Sequence, residues 1–269
     1  MQNLVEALRN QNLLLFVGAG VSKNLGLPTW GGLIDQMAND LGYDRDVFES
    51  LGDYLTLAEY YQSVKSSIGP LRSWMDRTFH DSAIKIEVST IHRLIVEMSC
   101  PLVYTTNYDS WLEQAFRLYN RPYTKIVNVG DFAGIREGIT QIVKFHGDFE
   151  DDSSIVLTET SYFNRLGFES PLDIKLRADL LGRSILFIGY SLTDINIRYL
   201  LYKLNQLWEC YPDPEVKPKS YIFLNRPNPV QEEVLLKRGI IPIVSESDDP
   251  GDGLEWLLKE LIYKAYGKQ

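Results

Sequence analysis

The chain has 269 residues, 45% of them hydrophobic and 23% charged, enough apolar material for a sizeable core and more than one average domain in length. Its 27 Lys and Arg against 36 Asp and Glu leave a net charge of −9. That excludes a dedicated nucleic-acid surface of clustered basic residues, but not a small anion held by backbone N–H groups.

The N-terminal MQNLVEALRN is polar and amphipathic and has no apolar region of signal-peptide type. No window reaches the apolar length of a membrane span. The first strand is LLLFVG (13–18). Residues 32–98 then break the rhythm with helical patterns only: LIDQMANDLG, YLTLAEYYQSVKSS, PLRSWMDRTFH and STIHRLIVEM. They predict a helical insert packed on the sheet's edge. Strands follow at PLVYTT (101–106), QIVKFHG (141–147), SILFIGY (184–190), SYIFLN (220–225) and IIPIV (240–244). Helical patterns lie at 108–120, 194–209, 229–239 and 254–267, with a further helical piece at 158–182 and a Pro-rich surface loop at 210–220.

Most of the strands are near-continuous apolar runs, as expected of strands buried on both faces of a parallel sheet. Strand–helix alternation predicts an α/β fold: a doubly wound, Rossmann-like, mostly parallel sheet with the 32–98 insert, in one domain over 1–269. The two cysteines, Cys100 and Cys210, are far apart and form no CxxC pair. A four-cysteine zinc site is excluded, no metal is expected, and a reduced, cytoplasmic setting is the simple reading.

Three strand ends carry the chemistry. The first strand stops on Gly18-Ala19-Gly20, followed by Val21 and Ser22. Lys23 stands where a dinucleotide fingerprint needs its third glycine, and no P-loop pattern is present. A GxG turn ahead of a helix still suits a pyrophosphate, and it equally suits a tight turn with no ligand. The second strand ends in TTNYD, which leaves Asn107 and Asp109 at the edge where α/β sheets bind ligands. Either residue also suits capping of the next helix. The third carries His146 and Gly147. The other two histidines, His80 and His92, belong to helical patterns and read as surface or packing residues.

GAG-x-S with GLP, then T-N-x-D, then HG, then GYSLTDINI (189–197) is the motif order of the sirtuins, and the chain resembles most closely the sirtuin-like domains of bacterial antiviral defence. The resemblance implies an NAD hydrolase. Gly18, Ala19, Gly20 and Ser22 match the loop that cradles the NAD pyrophosphate. Asn107 matches the asparagine beside the nicotinamide ribose, Asp109 the acid near the nicotinamide, and His146 the essential histidine. Gly189 and Ser191 match the turn lining the adenosine half, and Asn225 the asparagine on the adenosine ribose. The departures concern deacylation. The zinc ribbon is missing, Thr106 replaces a glutamine, and Pro28, Thr29, Trp30 and Gly31 replace Pro-Asp-Phe-Arg.

The implied activity is cleavage of NAD, as substrate, to nicotinamide and ADP-ribose, depleting NAD in antiphage defence. Asn107 would orient water or a ribose hydroxyl, and His146 would take a proton. The alternatives are a sensor that binds NAD or an ADP-ribose derivative without turnover, and a protein deacylase or ADP-ribosyltransferase. A free NAD hydrolase would drain the cell, so control by a partner protein or by homo-oligomerisation is expected.

Overall fold

The computed structural model describes residues 1–167, 169–192, 194–209, 211–213 and 216–267. Cys210 of the metal argument, Thr193 of the GYSLTDINI motif and part of the 210–220 loop lie outside the described residues.

Seven strands form one sheet: β1 (Leu13–Val17), β2 (Leu102–Thr105), β3 (Tyr123–Ile126), β4 (Thr140–Lys144), β5 (Ser184–Ile188), β6 (Ser220–Leu224) and β7 (Ile240–Val244). Their order is β3-β4-β2-β1-β5-β6-β7, and every pairing is parallel. β1 and β5 are buried along their whole length, which is why Leu13–Val17 and residues 185–188 are unbroken apolar runs. β3 was missed by sequence reasoning. It is an edge strand, half-buried over Tyr123–Lys125, and Tyr-Thr-Lys-Ile carries no apolar run.

The alternating side chains of β1 divide the core. Leu13, Leu15 and Val17 pack on one face with α7 (Thr90–Met98), α8 (Trp111–Leu118), the N-terminal α1 (Gln2–Arg9) and the C-terminal α13 (Pro250–Tyr266). Leu14 and Phe16 face the other way, onto α10 (Pro171–Leu181), α11 (Ile195–Glu209) and α12 (Pro229–Lys237). Two helical layers on a parallel sheet is the doubly wound architecture.

Between β1 and β2 the chain forms α2 (Ala19–Lys23), α3 (Trp30–Leu41), α4 (Arg45–Ser50), α5 (Tyr54–Lys65), α6 (Gly69–Phe79) and α7. α4 escaped the sequence reading because it is one and a half turns long. It is defined by its cap, the Asp44 carboxylate accepting from the N–H groups of Asp46 and Val47. The buried side chains of α3, α5 and α6 join the same core as α7 and α13, so this segment shares a face of the sheet. α5 also touches α9 (Glu159–Phe163), beyond the end of β4.

The topology reverses at β1. The chain leaves it for β2 on one side, and β5 lies on the other. Such a switch point opens a crevice at the carboxyl ends of the strands. Gly18, Thr106, Phe145, Gly189 and Asn225 each follow directly on a strand end at this edge.

Candidate functional site

The turn after β1 is bound to the turn after β5. Gly18 donates to Ile188 O at 2.9 Å, and Gly20 donates to Gly189 O at 2.8 Å. A Cβ on Gly18 would overlap Gly189 O and Tyr190, and one on Gly20 would sit 2.8 Å from Gly189 Cα. Gly189 has φ +58°, and a Cβ there would meet Val21 N at 2.5 Å. These three glycines are required by an approach of backbone to backbone, which adds a reason to the ligand approach expected from sequence.

The TTNYD stretch locks onto this turn from the β2 side. Asn107 donates its side-chain N–H groups to Gly18 O at 3.2 Å and to Ser22 Oγ at 3.0 Å. Ser22 Oγ in turn donates to Asp109 Oδ2 at 2.7 Å. Asp109 Oδ1 accepts from Trp111 N at 3.2 Å, while Ser110, not Asp109, is the N-cap of α8. Buried Lys144 donates to the Asp109 carbonyl oxygen. Ser22, Asn107 and Asp109 thus form one buried network.

His146 follows β4 and is buried. Its Nε2 lies 3.0 Å from Asp194 Oδ2, a close contact off the hydrogen-bonding direction. Its Nδ1 is 3.4 Å from Tyr162 Oη. Asp194 Oδ1 accepts from Asn196 N at 2.8 Å and Ile197 N at 3.2 Å, capping α11. Burial would raise the Asp194 carboxyl. His146 and the two backbone N–H groups outweigh it and hold the carboxyl below its ordinary range. Burial first, then the Asp194 charge, pushes the Tyr162 and Tyr190 phenols well up, so both stay neutral hydroxyls.

Sequence reasoning placed Asn107 and His146 at strand ends outside the core. The structure places them at strand ends but buried, with polar partners. Ala19 and Ser191 are exposed at the same edge, as is Asn225 at the end of β6, two strands from β1. Four participants were missed. Asp194 was inside a quoted motif, where Asp ahead of a helical pattern signalled a cap. Tyr162, Lys144 and Glu113 carried no local signal, because only the fold brings them in.

Lys144 is wholly buried with Glu113 (3.4 Å) and Asp148 (3.5 Å). Gly147, at φ +94°, has no room for a Cβ beside Ser154, so the HG turn folds back tightly. His80 and His92 are packing residues: His80 Nε2 accepts from Ser110 N, and His92 Nδ1 meets Ser89 Oγ. Among the described residues, two further clefts, one around Asn205, Trp208 and Lys217 and one around Tyr123 and Arg136, lie away from this network. No helix among them is long and apolar enough to cross a membrane.

The family model of the SIR2-like domain matches residues 101–243, just over half of the chain. The chain belongs to the SIR2-like domain family. This SIR2-like chain is 33% identical over 201 residues to the NAD(+) hydrolase ThsA of Enterococcus faecium, covering 73% of the chain and 40% of that protein. It is 26% identical to the protein of the same name from Bacillus cereus, covering 78% of the chain and 43% of that protein. It is 29% identical to defense-associated sirtuin 2 of Bacillus subtilis over 88% of the chain and 23% of that protein. The SIR2-like chain therefore spans about two fifths of the length of the hydrolases it matches. Its fold matches a solved SIR2 homolog–NAD complex with a TM-score of 0.50 at 13% identity, covering 97% of this chain and 93% of that one.

Proposed function

We propose that this chain binds NAD across the strand edge at Gly18–Ser22 and Gly189 and hydrolyses it to nicotinamide and ADP-ribose, in the service of antiphage defence. The observation that carries the reading is the network Gly18–Asn107–Ser22–Asp109, which builds the GAG-x-S and TTNYD motifs into one unit at the switch point of the sheet. The names of the relatives supply the substrate.

NAD cleavage passes through an oxocarbenium-like state and expels a neutral pyridine. The site must therefore hold the ribose and deliver water more than it must supply acid. Both N–H groups of Asn107 serve the glycine turn, so its carbonyl oxygen is the part that meets a ribose hydroxyl or the water. Ser22 and Asp109 act by holding Asn107 and the turn in register, a positioning contribution. His146 takes the proton. Gly189, Ser191 and Asn225 would flank the adenosine half, with Ala19 at the pyrophosphate.

We further propose that activity is switched by a partner protein or by self-association, in the cytoplasm. The burial of Asn107 and His146 supports that reading.

The test is incubation of the purified chain with NAD, following nicotinamide and ADP-ribose, over a wide range of protein concentration. His146→Ala and Asn107→Ala are expected to abolish release. Binding of NAD with no release at any concentration would favour the sensor reading.

A further inference from the structure

We propose that Asp194 is the positioning residue for His146. It fixes the ring tautomer with the proton on Nε2 and leaves Nδ1 as the base. The proposal rests on the NAD-cleavage reading for its catalytic meaning, but the tautomer can be measured without it.

The geometry is specific. One carboxylate does two things with its two oxygens. Oδ1 caps α11 through Asn196 N and Ile197 N, which fixes the carboxylate against rotation. Oδ2 then lies 3.0 Å from His146 Nε2, off the hydrogen-bonding direction, with the Tyr190 hydroxyl beside the carboxylate. A buried anion facing a ring nitrogen favours the tautomer that carries its proton there. Around the pair lie the phenols of Tyr108, Tyr162 and Tyr190, each held neutral, while the buried Arg165 cation near Tyr162 is paired with Asp173. None of the phenols supplies a charge that competes with Asp194 for the ring.

The same arrangement assigns the working nitrogen. With the proton on Nε2 beside Asp194, Nδ1 is the acceptor, and its neighbour is the Tyr162 hydroxyl at 3.4 Å. That distance lies beyond the usual range of a hydrogen bond from a hydroxyl, so water or a ribose hydroxyl can displace the contact at little cost. The carboxylate end of the ring is held and the opposite end is weakly held, which is what a proton acceptor needs.

The experiment uses the full chain labelled with 15N-histidine, with the His146 signals assigned by their loss in His146→Gln. The wild type should show a protonated Nε2 and an unprotonated Nδ1. Asp194→Asn keeps a capping oxygen but turns a donor toward Nε2. It should move the proton to Nδ1 and lower kcat by about a hundredfold or more, with KM little changed. Asp194→Ser keeps a cap and removes the anion, and it should lose kcat as well. A wild-type ring protonated on Nδ1 overturns the proposal, as does an undiminished kcat in either Asp194 variant. If the wild type releases no nicotinamide, it is the NAD-cleavage reading that has failed, and the ring tautomer alone then decides the pairing of Asp194 with His146.

Discussion

Gly20 gives its backbone N–H to the carbonyl oxygen of Gly189 at 2.8 Å, so the turn after the central strand is sewn to the turn after its neighbour. The two motifs are 169 residues apart in sequence and carry glycine for one shared reason: their main chains touch. A pyrophosphate arriving at this edge would meet a surface already shaped by that contact.

Gly189→Ala is therefore expected to destabilise the fold and remove NAD turnover. Left-handed backbone costs a non-glycine residue about 1–3 kcal/mol, and here the new methyl also collides with Val21. Gly26 is the control. It too has positive φ (+86°), but a Cβ there meets nothing within 4 Å. Gly26→Ala should lower the melting temperature less and keep turnover. Equal losses in thermal denaturation would show that backbone strain, not packing between the two turns, sets the requirement.

Strands buried on both faces could be read from the sequence because burial on both faces leaves an unbroken apolar run, as in Leu13–Val17 and residues 185–188. Tyr123–Ile126 could not, since an edge strand needs no such run. The motif residues Gly18, Ser22, Asn107, Asp109 and His146 were legible as strand-end chemistry, but their pairings were not. Ser22 with Asp109, and His146 with Asp194, join positions 87 and 48 residues apart. Only the strand order brings them together. Local pattern also gave no reason to place Lys144 and Glu113 inside, because a charged pair is buried through its partner rather than its neighbours in sequence.

Ser22→Ala removes the hydroxyl that donates to the Asp109 carboxylate and accepts from Asn107. A hydrogen bond to a charged group contributes about 1.5–3 kcal/mol, and the Asp109 oxygen would be left buried. The expected result is a loss of that order in urea unfolding and a lower kcat through a looser Asn107. Ser22→Thr keeps the hydroxyl and should recover part of both. A Ser22→Ala chain as stable and active as wild type would remove this serine from the network's function.

Lys144 stands between Glu113 and Asp148, and neither Glu113 oxygen has a hydrogen-bond partner. Breaking a buried pair by removing one member costs about 3–5 kcal/mol, because the other charge stays behind. Lys144→Met should cost that much, and adding Glu113→Gln should restore a substantial part of it. A double-mutant cycle in denaturant unfolding measures the coupling. Strictly additive effects would show that the two charges do not stabilise one another.

His92 gives a pH dependence whose sign can be worked out. Burial pushes its imidazole down to about 4 from an ordinary 6.5, and the charge of Asp109 opposes that only in part. The folded chain therefore holds His92 neutral where the unfolded chain binds a proton. Its contribution to stability is whole above pH 6.5 and is lost progressively as pH falls to about 4. At 1.36 kcal/mol per pKa unit the loss reaches about 3 kcal/mol. The carboxyls of Asp148 and Asp194 follow in a lower window. Burial tends to raise both, but Lys144 for the first and His146 for the second hold them below 3.8, so their contribution is present above that value and lost further into acid. His92→Gln keeps a polar group beside Ser89 and removes the titration. Urea unfolding across the upper window should fall more steeply with acid for the wild type than for His92→Gln. Parallel slopes would show that the buried imidazole does not set acid sensitivity there.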